Sequence, residues 1–166
     1  KNIALAFMAF RELLREFPKT GLVIVGDGPE RKNLESRIMN HGLAANVRMA
    51  GWQEDLVSYY KTADLYLLTS NFEGYGRTVV EAAAAGLPVV MTDVGVAGDL
   101  IRDGKTGRVV AVGDSAALTE ALFWARRSPP AMRAMAGRAQ QAALAAEPRS
   151  WETYLERYRT AYDRAV

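Results

Sequence analysis

Apolar residues at Ile3, Ala6, Phe7, Phe10, Leu13, Leu14 and Phe17 recur on one helical face, and Pro18 ends that pattern. The period then changes. "GLVIVG" (21–26) is a short β-branched run closed by glycine and predicts a buried strand. "PERKNLESRIMNHG" (29–42) returns to a helix, with Pro29 at the favoured first position and Gly42 at its close. Further strands are predicted at 46–51, 64–70, 88–92 and 107–112. Helices are predicted at 54–63, 76–86, near 97–102, and near 115–127, 129–146 and 150–165. Strands apolar throughout, alternating with helices, predict an α/β fold with a doubly wound parallel sheet flanked by helices on both faces. The alternation begins with a helix, whereas the first strand of such a sheet is normally central. A first strand is therefore expected to be missing ahead of Lys1: cut away, disordered, or replaced by a partner's strand.

Composition narrows the chemistry. The chain has 166 residues, enough for one domain with a real core, and its 49% hydrophobic and 24% charged residues are those of a globular protein. A formal charge of +2 is too small for a nucleic-acid binder, so no nucleic-acid partner is expected. With no cysteine, disulfides, thiol catalysis and cysteine-held metal are excluded. His41 is the single histidine, which sets aside histidine metal clusters and the Ser-His-Asp triad, and no metal or cofactor is expected. No apolar run is long enough to cross a bilayer, and the expected location is the cytoplasm, with peripheral contact at the inner face of the membrane as a weaker expectation.

Two loops after strands invite a phosphate. "VGDGPER" (25–31) lacks the third glycine of a dinucleotide fingerprint, because Arg31 stands there, and reads better as a tight turn at Gly26 and Gly28. "SNFEGYGRTVVEAAAAGLPVV" (70–90) carries more. Gly74 and Gly76 strip side chains from the loop, and the free N–H groups of Gly76, Arg77 and Thr78 at a helix start suit a phosphate. Glu81, five residues past Gly76, can accept hydrogen bonds from two ribose hydroxyls. Glu73, still in the loop, can reach hydroxyls of a second group beyond the phosphates. Hydroxyl, phosphate, hydroxyl is the layout of a nucleotide-sugar; the plainer alternative is a helix cap with one solvated carboxylate.

The segment "NFEGYGRTVVEAAAAGLPVVMTDVG" resembles the E-x7-E segment of retaining GT-B glycosyltransferases, which reads E-G-[FY]-G followed by E-A-x-A-x-G-x-P-V. "KNIALAFMAF", "LVIVGDGPERKNLE", "NVRMAGW", "LVSYYKTADLYLLTS" and "LIRDGKTGRVV" agree in order and spacing, so the similarity covers nearly the whole chain. The resemblance implies a Rossmann-like domain over 1–166, the C-terminal, donor-binding half of a two-domain enzyme of carbohydrate biosynthesis whose N-terminal acceptor domain is absent. It implies that Glu81 holds the ribose hydroxyls and that Glu73 contacts the transferred sugar at the catalytic centre, though not as nucleophile. It further implies backbone contacts to sugar and diphosphate from Tyr75, Gly76, Arg77, Thr78 and Val79, and a diphosphate partner in Lys1. The loop Gly51-Trp52-Gln53 matches the border of the nucleobase.

Two departures from the family pattern stand out. The common Gly-Gly-x-x-Glu is here Gly95-Val96-Ala97-Gly98-Asp99, with the second glycine lost and the acid shortened. Arg77 replaces an aliphatic residue, and its charge can serve the diphosphate or simply face solvent. The expected partner is a nucleotide-sugar donor, with transfer needing the absent domain. A non-catalytic nucleotide-sugar binding module and a nucleotide-sugar epimerase of similar fold are the alternatives. His41 reads as a helix-end residue. Trp151, Tyr154, Leu155, Tyr158 and Tyr162 form an aromatic stripe whose default is packing and whose exposure would favour self-association.

Overall fold

The computed structural model describes residues 1–146, 155–156 and 159–160. The helix expected at 150–165 falls almost wholly outside the described residues, as does its aromatic stripe apart from Leu155.

In chain order the elements are α1 (Ile3–Glu16), β1 (Leu22–Val25), α2 (Arg31–Asn40), β2 (Val47–Gly51), α3 (Leu56–Thr62) and β3 (Tyr66–Leu68). They are followed by α4 (Arg77–Ala84), β4 (Val89–Thr92), β5 (Arg108–Val110), α5 (Ser115–Arg127) and α6 (Pro129–Ala146). Every paired strand is parallel, as expected of strands separated by helices. The strands form two open sheets, β1–β2 and β3–β4–β5.

Alternation along β3, β4 and β5 shows that the larger sheet is covered on both faces. Leu67, Val90 and Val110 join a core with Leu5, Phe7, Phe10 and Leu13 of α1 and Leu118 and Leu122 of α5. Their neighbours Leu68, Val89, Met91 and Val109 point the other way, onto Val79, Val80 and Ala83 of α4 and Ala139 and Ala143 of α6. All four residues of β4 are buried, three of them apolar and the fourth, Thr92, with its hydroxyl on the Ser70 carbonyl. The smaller sheet departs from the expectation of a fully buried strand. Leu22 and Ile24 of β1 enter the α1 core, but Val23 between them is 50% exposed.

The helix expected near 97–102 is absent. Gly98 takes φ 84, in the left-handed region, and its N–H bonds to the Ile101 carbonyl at 2.9 Å. Thr106 Oγ1 accepts from the Arg102 N–H and donates to the Leu100 carbonyl, both at 2.7 Å. These bonds fold the segment into turns that bury Val96 and Ile101 in one core.

Candidate functional site

Several polar contacts between distant parts of the chain meet at the carboxyl end of β3. Thr69 and Ser70 continue past the strand and are buried, and each has a hydrogen-bond duty. Thr69 Oγ1 donates toward the carbonyls of Lys1 and Asn2, at 3.1 and 3.0 Å, which brings the start of α1 to the end of β3. Asn2 adds a second tie through its amide to Asn71 Oδ1 at 2.9 Å, while its own Oδ1 caps Leu5 N–H. Thr92 Oγ1 at the end of β4 donates to the Ser70 carbonyl at 2.7 Å. Three separate stretches of sequence thus meet at one loop.

Glu73 sits in that loop with its side chain 14% exposed. The Lys1 ammonium and the Ser70 hydroxyl both donate to its Oε1, the latter at 2.6 Å. Burial pushes the Glu73 carboxyl up, but the hydrogen bonds from Lys1 and Ser70, with the Lys1 charge, outweigh it and leave the group below its ordinary range. Lys1 and Glu73, far apart in the chain, are brought together as an ion pair.

Beyond Glu73 the chain turns through Gly74 and Gly76. Gly76 takes φ 87 and forms the N-cap of α4, with Val79 N–H bonded to its carbonyl at 2.9 Å. A glycine suits this left-handed position because a Cβ would crowd the backbone. The N–H groups of Arg77 and Thr78 in the first turn lack intrahelical acceptors and carry the positive end of the helix dipole. The loop is backed by the segment after β4, where Gly95 lies against Tyr75 so closely that a Cβ would come within 2.5 Å of the Tyr75 oxygen. Val79 is fully buried, and its N–H is already taken by the Gly76 carbonyl.

Glu81 lies one turn into α4, its side chain 39% exposed. Tyr60 of α3 donates its phenol to Glu81 Oε2 at 3.1 Å. Arg77 projects outward, 86% exposed, with its guanidinium 3.9 Å from Glu81 Oε1. Tyr66 donates to Thr78 Oγ1 at 2.7 Å. Burial raises the Tyr66 phenol, the Thr78 hydrogen bond opposes this, and the charges of Glu73 and Glu81 add to the rise. The part-buried Tyr66 phenol thus feels the charge of both carboxylates.

Gly51, Trp52 and Gln53 follow β2. Gly51 has φ 71 and accepts the Gly26 N–H at 2.7 Å, while Gln53 turns its amide back to the Ala50 carbonyl at 2.9 Å. Trp52 is left 78% exposed. Among the described residues no recorded hydrogen bond or ion pair joins this loop to 70–81. Gly26, at φ 116, and Gly28 form the tight turn expected of them, with Gly28 N–H on Asp27 Oδ1. His41 is the C-cap of α2, as its position before Gly42 suggested. Ser70, Tyr60, Tyr66 and Gly95 were not singled out from the sequence as site residues. Of these, only Gly95 carried a signal, as the first glycine of the altered Gly-Gly-x-x-Glu. No described helix is long and apolar enough to cross a membrane.

Comparison with known proteins adds independent observations. The family model of the glycosyl transferases group 1 matches residues 1–142. The lipopolysaccharide core biosynthesis glycosyltransferase LpsE of Rhizobium meliloti (strain 1021) is 33% identical over 116 residues, 70% of this chain and 34% of that protein. The chain spans about a third of the length of such curated relatives. Among solved structures, Anabaena Alr3699/HepE in complex with UDP superposes with a TM-score of 0.79 at 28% identity, covering 86% of this chain and 40% of that one. The C-terminal domain of the group 1 family protein LpcC from Francisella tularensis shares the fold, with a TM-score of 0.79 at 20% identity over 90% of this chain and 81% of that one.

Proposed function

The chain belongs to the glycosyl transferases of group 1, and from that premise we propose that it forms the donor-binding half of a retaining transferase that uses a nucleoside-diphosphate sugar. The observation that carries this reading is the convergence of Lys1, Glu73, the α4 N-terminus and Glu81 at the carboxyl end of β3. Ligands of open α/β sheets bind at that end. The complex of Alr3699/HepE with UDP, a neighbour of the same fold, supports a nucleotide here.

In this reading Glu81 accepts the ribose hydroxyls, and the backbone of Tyr75 to Thr78 receives the diphosphate; Val79, buried and with its N–H on the Gly76 carbonyl, is left out of that contact. Departure of the sugar from the diphosphate breaks the bond between its anomeric carbon and a phosphate oxygen, leaving negative charge on the leaving group. The α4 amides and the Lys1 ammonium are the groups of this chain able to stabilise that charge. Lys1 is exposed on a flexible stem, so it can turn from Glu73 to the diphosphate. Glu73 is then free to receive hydroxyls of the sugar. Arg77, extended into solvent, serves the charge of the entrance more than the pocket. Trp52 and Gln53 border the base. In this reading the acceptor is held by a domain outside this chain, which spans about a third of the length of its curated relatives.

Isothermal titration of the protein with UDP, GDP and ADP tests the reading, with Glu81→Ala as the comparison. Binding of a diphosphate is expected, and loss of two hydrogen bonds to a charged group should weaken it by about 10-fold or more. Equal affinity in the variant would remove Glu81 from the ribose.

A further inference from the structure

Tyr60 lies 21 residues before Glu81 on a different helix, yet its phenol is the nearest hydrogen-bond donor the structure gives that carboxylate. We propose that Tyr60 is a positioning residue which sets the plane of the Glu81 carboxylate for a vicinal diol, and so makes the site selective for ribose over deoxyribose. The proposal rests on the reading of Glu81 as the ribose acceptor.

The geometry supports it in three ways. First, Tyr60 is itself fixed: its side chain is buried with Ala82 and Leu87, and its ring meets that of Tyr66 edge-on at 6.0 Å and 70°. Second, Tyr66 donates to Thr78, which lies three residues before Glu81 on the same helical face. Two phenols from different elements therefore bond side chains on one face of α4, and the Tyr60 bond holds the Glu81 carboxylate from one side. Third, the direction of the bond is settled. Burial, followed by the hydrogen bond and charge of Glu81, holds the Tyr60 phenol protonated far above its ordinary range, so Tyr60 donates and Glu81 accepts.

A carboxylate offers about four lone-pair directions. Tyr60 takes one on Oε2, leaving Oε1 and the outer side of Oε2 to the two adjacent hydroxyls. Arg77 does not compete for the role, because at 3.9 Å and in solvent it holds the carboxylate only loosely. Without the phenol, Glu81 would swing among rotamers and meet both hydroxyls less often, while phosphate and base contacts would be untouched.

The test is a comparison of UDP with 2′,3′-dideoxy-UDP by calorimetric titration of the intact protein that carries this chain, as wild type, Tyr60→Phe and Glu81→Ala. Wild type should favour UDP by about 10- to 100-fold, the range for hydrogen bonds to a charged group. Glu81→Ala should bring the ratio close to one. Tyr60→Phe, which keeps the ring and removes one oxygen, should cut the ratio by about 3- to 10-fold while leaving affinity for the dideoxy nucleotide near wild type. If Tyr60→Phe keeps the full ratio while Glu81→Ala loses it, the positioning role is overturned and the ribose assignment stands. Equal loss of both nucleotides in Tyr60→Phe would also overturn it, since that is the mark of a merely structural phenol. If Glu81→Ala leaves the ratio unchanged, the ribose assignment and the positioning role fall together.

Discussion

A Cβ at Gly95 would lie 2.5 Å from the Tyr75 carbonyl oxygen, 2.9 Å from its carbon and 3.2 Å from Glu73 Cβ. Two of those three atoms are backbone, so no side-chain rotation relieves the contact, and the residue's φ of 57 is itself unfavourable for any other L-residue. Gly95→Ala should therefore push the 73–76 loop outward. We expect a loss of about 1–3 kcal/mol in urea unfolding, together with weaker UDP binding in titration. Unchanged stability and affinity would show that the loop moves freely. Residues of this kind were partly legible: Glu73, Glu81 and the loop glycines announce themselves by spacing within one short stretch. Ser70 and Tyr60 do not, because a hydroxyl acquires meaning only from the carboxylate it faces.

Among the helices, the periodic ones needed little beyond their own sequence. In α5, Asp114 accepts the Ala117 N–H at 2.9 Å as N-cap, and Leu118, Ala121 and Leu122 form one apolar face against α1. Asp114→Ala should cost about 1 kcal/mol, read as a lower urea midpoint with unchanged slope. The α1–α5 contact is completed at its end by Phe17 against Phe123, with Arg126 over the first ring and Arg127 over the second. The eight residues of α4 are too short to be stable alone, and the helix persists because Val79, Ala82 and Ala83 are fully buried and Gln140 of α6 caps the Ala84 carbonyl at 3.0 Å. The segment 97–102 misled for the converse reason. It has the composition of a short helix, but turn bonds at Gly98 and Thr106 bury Val96 and Ile101 together.

Across the whole molecule, the Lys1–Glu73 pair ties the start of α1 to the loop after β3. The Glu73 carboxyl lies below its ordinary value of 4.5, so its contribution to stability is fully present above that value and is lost as pH falls through the depressed one. Glu73→Gln should thus be less stable than wild type at neutral pH, with the two converging in acid, as measured by urea midpoints along a pH series. A constant gap would place the effect in packing instead. By itself the sequence determined the α/β alternation, the parallel sense of the strands, the covered faces of β3 to β5 and the loop and following helix that carry Glu73 and Glu81, because these depend on local periodicity and on residues close in the chain. Tertiary structure alone decided that the strands divide into two sheets, that Val23 is half exposed, and that Lys1, Tyr60, Ser70 and Gly95 surround the glutamates. Those outcomes arise from contacts between segments dozens of residues apart, and no local pattern encodes which distant hydroxyl or backbone will arrive beside a given carboxylate.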